Sequence, residues 1–232
     1  MNRPLGRRMR IIYSTLGGRF REKRAAAFSA EFSDCRSVID VGGHPLYWQA
    51  RNWRPKNLLL LNIDPPPVQL EDGIGYLQAD GCNVPFPSGS FDLAMSNSVI
   101  EHVPDQQKFA SEMLRVGKRV YCQTPAKEFP VEPHCLGLFV HWLPTRWFTY
   151  FVHRYFTIYG LIGKPDRQEH EDFKQEVHLL SKSELRRMFP GCEIETERFL
   201  YLPKSYIVRR RAPSSLQETA DPGDNLAPAK IA

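Results

Sequence analysis

The chain has 232 residues, 42% hydrophobic and 25% charged, with a formal net charge of +5. These proportions exclude a fibrous chain or one disordered throughout, and the length suits one large domain with appendages. No apolar run reaches the roughly 20 residues of a membrane span, and no leader-like apolar stretch follows the basic N-terminus. The cysteines (Cys35, Cys82, Cys122, Cys135, Cys192) are odd in number and lack a C-x-x-C pair. That usage points to reduced thiols and a cytoplasmic setting, with neither a disulfide framework nor a zinc site.

The charge is unevenly placed. Residues 1–24 carry eight basic side chains against the single acid Glu22, so the remainder of the chain is slightly acidic. A nucleic-acid enzyme lines its groove with Lys and Arg, so nucleic acid is not the expected partner. The basic stretch, taken as an arm or helix over 1–30, suits peripheral contact with an anionic membrane or another acidic partner.

In chain order, SVIDVG (37–42) reads as a buried strand ending in glycines, and 46–54 as a short helix. LLLLNID (58–64) is a second strand, stopped by Pro65, Pro66 and Pro67. IGYLQAD (74–80), SFDLAMSN (90–97) and KRVYCQTP (118–125) follow as extended segments. Residues 104–117 present Phe109, Met113, Leu114 and Val116 at helical spacing, with Pro104 near the start and Gly117 at the stop. Strands alternating with helices favour a parallel sheet with right-handed crossovers. Ser181 and Glu184 open a helix over 181–189 as a capping box, and 192–210 reads as two strands turning near Pro203. Residues 211–232, poor in large apolar side chains, read as a disordered tail.

Residues 136–162 break the rhythm. They hold nine aromatic side chains, and Trp147, Phe148, Phe151, Val152, Tyr155, Phe156 and Tyr159 recur at helical spacing. The stripe packs on the sheet as an insertion or caps a substrate pocket, with lipid contact a further reading because Trp and Tyr favour membrane interfaces.

Chemistry concentrates at the strand ends. Glycines after the first strand let backbone approach a ligand, and acids (Asp40, Asp64, Asp80) close three successive strand segments, along the rim where a parallel sheet binds its ligand. The stretch ADGCNVPFPSGSFDLAMSNSVIEHVPD (79–105) resembles the matching segment of class I S-adenosylmethionine-dependent methyltransferases, especially the type 11 group. The likeness extends in element order over about 30–210.

The resemblance implies an α/β fold: a Rossmann-like, seven-stranded, mostly parallel sheet with an antiparallel last strand and a helical aromatic insertion. The methyltransferase domain would cover 31–210, with a substrate cap over 126–175. It also implies S-adenosyl-L-methionine as cofactor. Gly42 and Gly43 would approach its methionyl part, with Asp40 steadying the loop and the ammonium. Asp64 would accept from the ribose hydroxyls, and Asp80 from the adenine amino group. Gly81 and Cys82 would border the base, and Asn97 would sit near the methyl group. The first motif departs from the family's D-x-G-x-G-x-G, because His44 and Leu46 stand at two glycine positions with Pro45 between them.

Methyl transfer to a hydroxyl needs alignment and removal of a proton, for which histidine is suited near neutral pH. His102, with Glu101 beside it, and His134, two residues after Glu132, are the candidate catalytic residues. Glu132, His134 and Trp142 are the candidate acceptor contacts, and no local spacing suggests a metal site. The expected function is methylation of a hydroxyl on a small molecule, sugar or lipid-linked glycan. The alternative is a catalytically inactive binding or regulatory protein on the same fold, as the altered glycine loop would allow.

Overall fold

The computed structural model describes residues 21–49, 53–66, 70–134, 137–144, 147, 157 and 177–211. The apolar runs become strands because each is covered on both sides. Successive residues of β1 (Ser37–Val41) point to opposite faces, Val38 into one core and Ile39 and Val41 into the other. β2 (Asn57–Asn62), β3 (Ile74–Gln78), β4 (Phe91–Asn97) and β5 (Gly117–Pro125) extend the parallel sheet. Two-sided burial explains why LLLL is unbroken by polar residues.

Short strands β6 (Val131–Glu132) and β7 (Gly137–Leu138) pair in a separate ribbon. β8 (Glu193–Phe199) and β9 (Leu202–Arg210) complete a seven-stranded sheet in the order β3-β2-β1-β4-β5-β9-β8, with β9 antiparallel to both neighbours. This is the expected mostly parallel sheet with its antiparallel last strand.

Helices cover the two faces. Residues 21–32 form helix α1, which buries Phe28 and Phe32 completely against Val38, Leu58, Leu60 and Tyr121. Arg119 on β5 fastens its end: the guanidinium donates to the Glu31 carbonyl at 2.6 Å and lies 4.6 Å over the Phe32 ring. On the other face, α3 (Gln106–Val116) buries Phe109, Ala110, Met113 and Val116, while α4 (Lys182–Met188) buries Leu185. The Asp105 side chain caps α3 by accepting from Lys108 N–H, so the helix begins just after Pro104. The Ser181–Glu184 capping box on α4 is present as read.

Three local expectations are corrected. The helix expected over 46–54 is α2 (Pro45–Gln49), which begins one residue earlier, and Trp53 and Arg54 at the far end of the expected span are not helical. Proline at its first turn lacks an N–H the helix would leave unpaired. The second strand ends at Asn62, so Asp64 lies two residues beyond it. The β8–β9 turn is built on Leu200 and Tyr201, both left-handed (φ 47° and 69°), while Pro203 already belongs to β9. Most of the aromatic insertion and residues 212–232 lie outside the described residues, as do residues 1–20. No helix among the described residues is long and apolar enough to cross a membrane.

Candidate active site

The sheet order reverses between β1 and β4, and ligands of open α/β sheets bind at the carboxyl ends of strands at such a switch point. The loops leaving these two strands touch there. Gly42 has φ +79°, and a Cβ at that position would stand 2.4 Å from a methyl carbon of Val99. A Cβ on Gly43 would stand 2.4 Å from the Asp40 carboxyl carbon. Both glycines are therefore demanded by close approach, and Gly42 also by its backbone conformation.

The missing family glycines are absorbed locally. The chain turns at Gly43 into α2, and Trp48 on that helix donates its indole N–H to the buried Asp40 carboxylate at 2.8 Å. His44 Nδ1 accepts from Leu46 N–H at 3.3 Å. Asn62, which sequence reasoning passed over, donates its amide to the Gly43 carbonyl at 3.0 Å and ties the loop to β2.

The remaining cradle residues line the same rim. Asp64 is exposed, with its carbonyl accepting from the Tyr76 hydroxyl at 2.9 Å. Asp80 Oδ1 accepts from Cys82 N–H at 2.8 Å. Gly81 is hemmed in by Phe109 and Val41, each 2.8 Å from where a Cβ would lie. The loop that follows is clamped from α3: Glu112 accepts from Val84 N–H, and Arg115 donates to the Val84 and Phe86 carbonyls. Asn97, at the end of β4, has a buried Oδ1 with no hydrogen-bond partner among the described residues. An orphaned acceptor at the carboxyl end of β4, where the β1 and β4 loops meet, fits a cofactor bearing donor groups, as the ammonium of S-adenosylmethionine does.

A second group of polar side chains lies just beyond. After Asn97 the chain takes a left-handed step at Ser98 (φ 55°), pinned by its N–H and hydroxyl to Gln123 on β5. A short 3₁₀ turn, Ile100–His102, then carries Glu101 into the protein and His102 toward solvent. Glu101 is fully buried; its Oε2 accepts from the Thr124 hydroxyl at 2.9 Å, and its Oε1 has no partner among the described residues. Burial pushes its carboxyl above the ordinary range, against the lowering pull of the His134 charge and Thr124.

From the β6–β7 side, His134 Nδ1 meets the buried Glu132 carboxylate at 2.7 Å. Burial alone would lower the His134 pKa, but the Glu132 hydrogen bond and the charges of Glu132 and Glu101 outweigh it, and the net shift is upward. The His102 and His134 rings stand edge to face with centroids 4.8 Å apart.

The fold thus brings together Glu101, His102, Glu132 and His134, which the sequence offered only as two separate pairs. Thr124 and Gln123 were missed; nothing local marks them, because their partners are about 25 residues away. Trp142 goes elsewhere. Its indole donates to the Lys127 carbonyl at 2.8 Å, and the ring lines an open groove of about 550 Å³ with Glu128, Ser181, Glu184 and Arg187. The two histidines are not part of that lining.

The family described as "Methyltransferase domain" matches residues 42–120. An uncharacterized methyltransferase of Mycobacterium sp. (strain KMS) is 38% identical over 87 residues, covering 35% of this chain and 34% of the relative. One from Mycobacterium avium (strain 104) is 33% identical over 89 residues, 35% of each. The chain spans about a third of the length of the curated relatives it matches. Among solved structures, an S-adenosylmethionine-dependent methyltransferase from Mesorhizobium loti has 16% identity and a TM-score of 0.49, covering 81% of this chain and 95% of that one. The N-terminal domain of EvdMO1, solved with SAH bound, has 14% identity and a TM-score of 0.49, covering 83% and 81%. Residues 42–120 thus match the methyltransferase domain family, and the sheet order built around them is the seven-stranded, mostly parallel one expected of class I S-adenosylmethionine-dependent methyltransferases.

Proposed function

We propose that the chain methylates a hydroxyl group of a small molecule, sugar or lipid-linked glycan, using S-adenosylmethionine bound across the β1–β4 switch point. Bound there, the cofactor supplies an electrophilic methyl group on a sulfonium. The backbone at Gly42 and Gly43 borders its methionyl part, while Asp40 acts as a positioning residue through Trp48. Asp64 receives the ribose hydroxyls, Asp80 the adenine amino group, with Gly81 and Cys82 along the base. Asn97 Oδ1 accepts from the ammonium.

His102 and His134 are the catalytic residues on the acceptor side, and Glu132 orients His134. Holding the acceptor oxygen in line with the methyl group is the larger part of the task, because orientation alone removes several kcal/mol from a bimolecular barrier. The observation that carries this reading is the cluster of Glu132, His134 and His102 directly beyond the β4 end. Trp142, by its groove, contacts an extended acceptor outside the reacting centre.

Calorimetric titration of S-adenosylmethionine and S-adenosylhomocysteine into the wild type and Asp64→Ala tests the cofactor half. Binding that weakens at least tenfold in the variant is the expected result. A folded wild type that binds neither overturns the proposal in favour of a binding or regulatory protein. Transfer of labelled methyl to a panel of hydroxylated glycans and lipids then tests the acceptor half.

A further inference from the structure

We infer that Glu101, His102 and His134 form a binding site for a divalent first-row transition-metal ion, which holds the acceptor hydroxyl; this rests on the methyltransferase reading for its purpose, but not for its ligands. One potential ligand atom from each residue lies within 4.8 Å of the others. A shared ion bound at about 2.0–2.2 Å needs donors about 3–3.5 Å apart, so the cluster contracts by roughly an ångström on binding. His102, exposed at the rim, can supply that movement by a side-chain rotation.

Two independent features point to an ion rather than to a chance gathering. Glu101 is fully buried, yet only Oε2 is engaged, by Thr124; Oε1 has no partner among the described residues. Leaving a buried carboxylate oxygen unpaired is costly, and a cation beside it removes that cost. His134, in turn, is already prepared as a ligand. Its Nδ1 is engaged by the buried carboxylate of Glu132 at 2.7 Å, which fixes the ring and leaves Nε2 for a metal. A carboxylate behind a histidine in this manner is the usual outer support of a metal-bound imidazole.

Two imidazoles and one carboxylate favour zinc, iron, cobalt or manganese over magnesium, and three protein ligands leave positions open for an acceptor oxygen. The ion acts as a Lewis acid there. The coordinated hydroxyl releases its proton to solvent water at the exposed side. An oxygen lone pair forms the new bond to the methyl carbon, and the methyl–sulfur pair stays on sulfur, turning the sulfonium into a neutral thioether.

The test uses the full chain, stripped with a chelator, dialysed and titrated with Co²⁺ and Zn²⁺. Co²⁺ reports ligation by its visible absorption, and calorimetry gives the stoichiometry. One ion per chain is expected, with affinity falling at least tenfold in His102→Ala and His134→Ala, and 10–100-fold in Glu132→Gln. Glu101→Gln is read beside a thermal melt, and the exposed His102 variant carries the test if the buried one unfolds. S-adenosylhomocysteine affinity in the His102 variant stays within twofold of wild type. Absence of stoichiometric Co²⁺ or Zn²⁺ binding, or binding unchanged in both histidine variants, overturns the inference. A wild type that binds the metal but no S-adenosylmethionine upholds the site and defeats the methyltransferase reading instead.

Discussion

Replacing Trp48 by Phe probes how the chain does without two family glycines. The substitution removes the indole N–H that reaches the Asp40 carboxylate at 2.8 Å, in a place where Trp48 is 1% and Asp40 2% exposed. A hydrogen bond to a carboxylate contributes about 1.5–3 kcal/mol. Phe is also smaller by about 40 Å³, and at ~24 cal/mol per Å³ an unfilled gap adds about 1 kcal/mol. The expected loss is about 3 kcal/mol, a large part of the stability of an ordinary domain. Urea unfolding followed by far-UV circular dichroism measures it without relying on tryptophan emission, and an unchanged m-value shows that only stability moved. Trp53→Phe is the control: that ring packs 6.0 Å from Phe28 and 6.2 Å from Trp48 but is only partly buried, and its loss should cost under about 1 kcal/mol. If the two variants lose equal stability, the indole–carboxylate bond is not what holds this loop.

Gly81→Ala drives a methyl group to within 2.8 Å of Phe109 and Val41; a loss of about 1–3 kcal/mol in urea unfolding is expected, with weaker S-adenosylhomocysteine binding by calorimetry. Arg119→Ala releases α1 from β5 and should cost about 1–2 kcal/mol in the same unfolding assay. Asp34→Ala removes only a well-exposed partner of that arginine and should cost under about 0.5 kcal/mol. For Asp92, burial works to raise the carboxyl pKa, but the N–H groups of Ser37 and Arg36 and the Lys118 ammonium outweigh it and hold it below the ordinary carboxylate range. The stabilisation is therefore full above the ordinary carboxylate range and fades as the pH falls through the lowered value. Asp92→Asn should flatten the acid limb of the stability–pH curve below about pH 4 and leave its alkaline limb unchanged. The Cys82 thiol is pushed up to about 11 by burial, with Asp80 and Asp105 adding to the shift. Iodoacetamide at pH 8 should alkylate it slowly in the native chain and promptly in urea, as mass spectrometry will show.

The sheet was legible because its strands are buried on both faces: SVIDV and LLLL stand out as unbroken apolar runs between glycine and proline. The α4 cap was legible because its two partners are three residues apart. What escaped was set by distant contacts or by residues in unusual roles. Leu200 and Tyr201 are poor turn formers, so the nearby Pro203 drew the turn to the wrong place. The start of α2 at Pro45 and the Trp48–Asp40 bond depend on how that helix sits over β1, which no hydrophobic period records. The acceptor-side cluster was half visible. Glu132–His134 and Glu101–His102 are local patterns, but their meeting depends on the β4 and β6 loops converging, and Thr124 enters only through the pairing of β4 with β5.

The place of β9 in the sheet also governs the order in which the molecule can be made. β5 offers an edge that stays unpaired until β9 arrives, and the first contact, Pro125 with Ser205, spans 80 residues of chain. At about 5–20 residues per second, a ribosome needs roughly 4–16 s to cover that interval. For that time the nascent protein presents β5, a nine-residue strand with a fully buried centre, as an open edge beside a nearly complete parallel half. Such an edge invites pairing with another nascent chain. The interval between β5 and β9 is therefore when a chaperone at the ribosome would matter most, and when a slowed or interrupted translation would be most damaging.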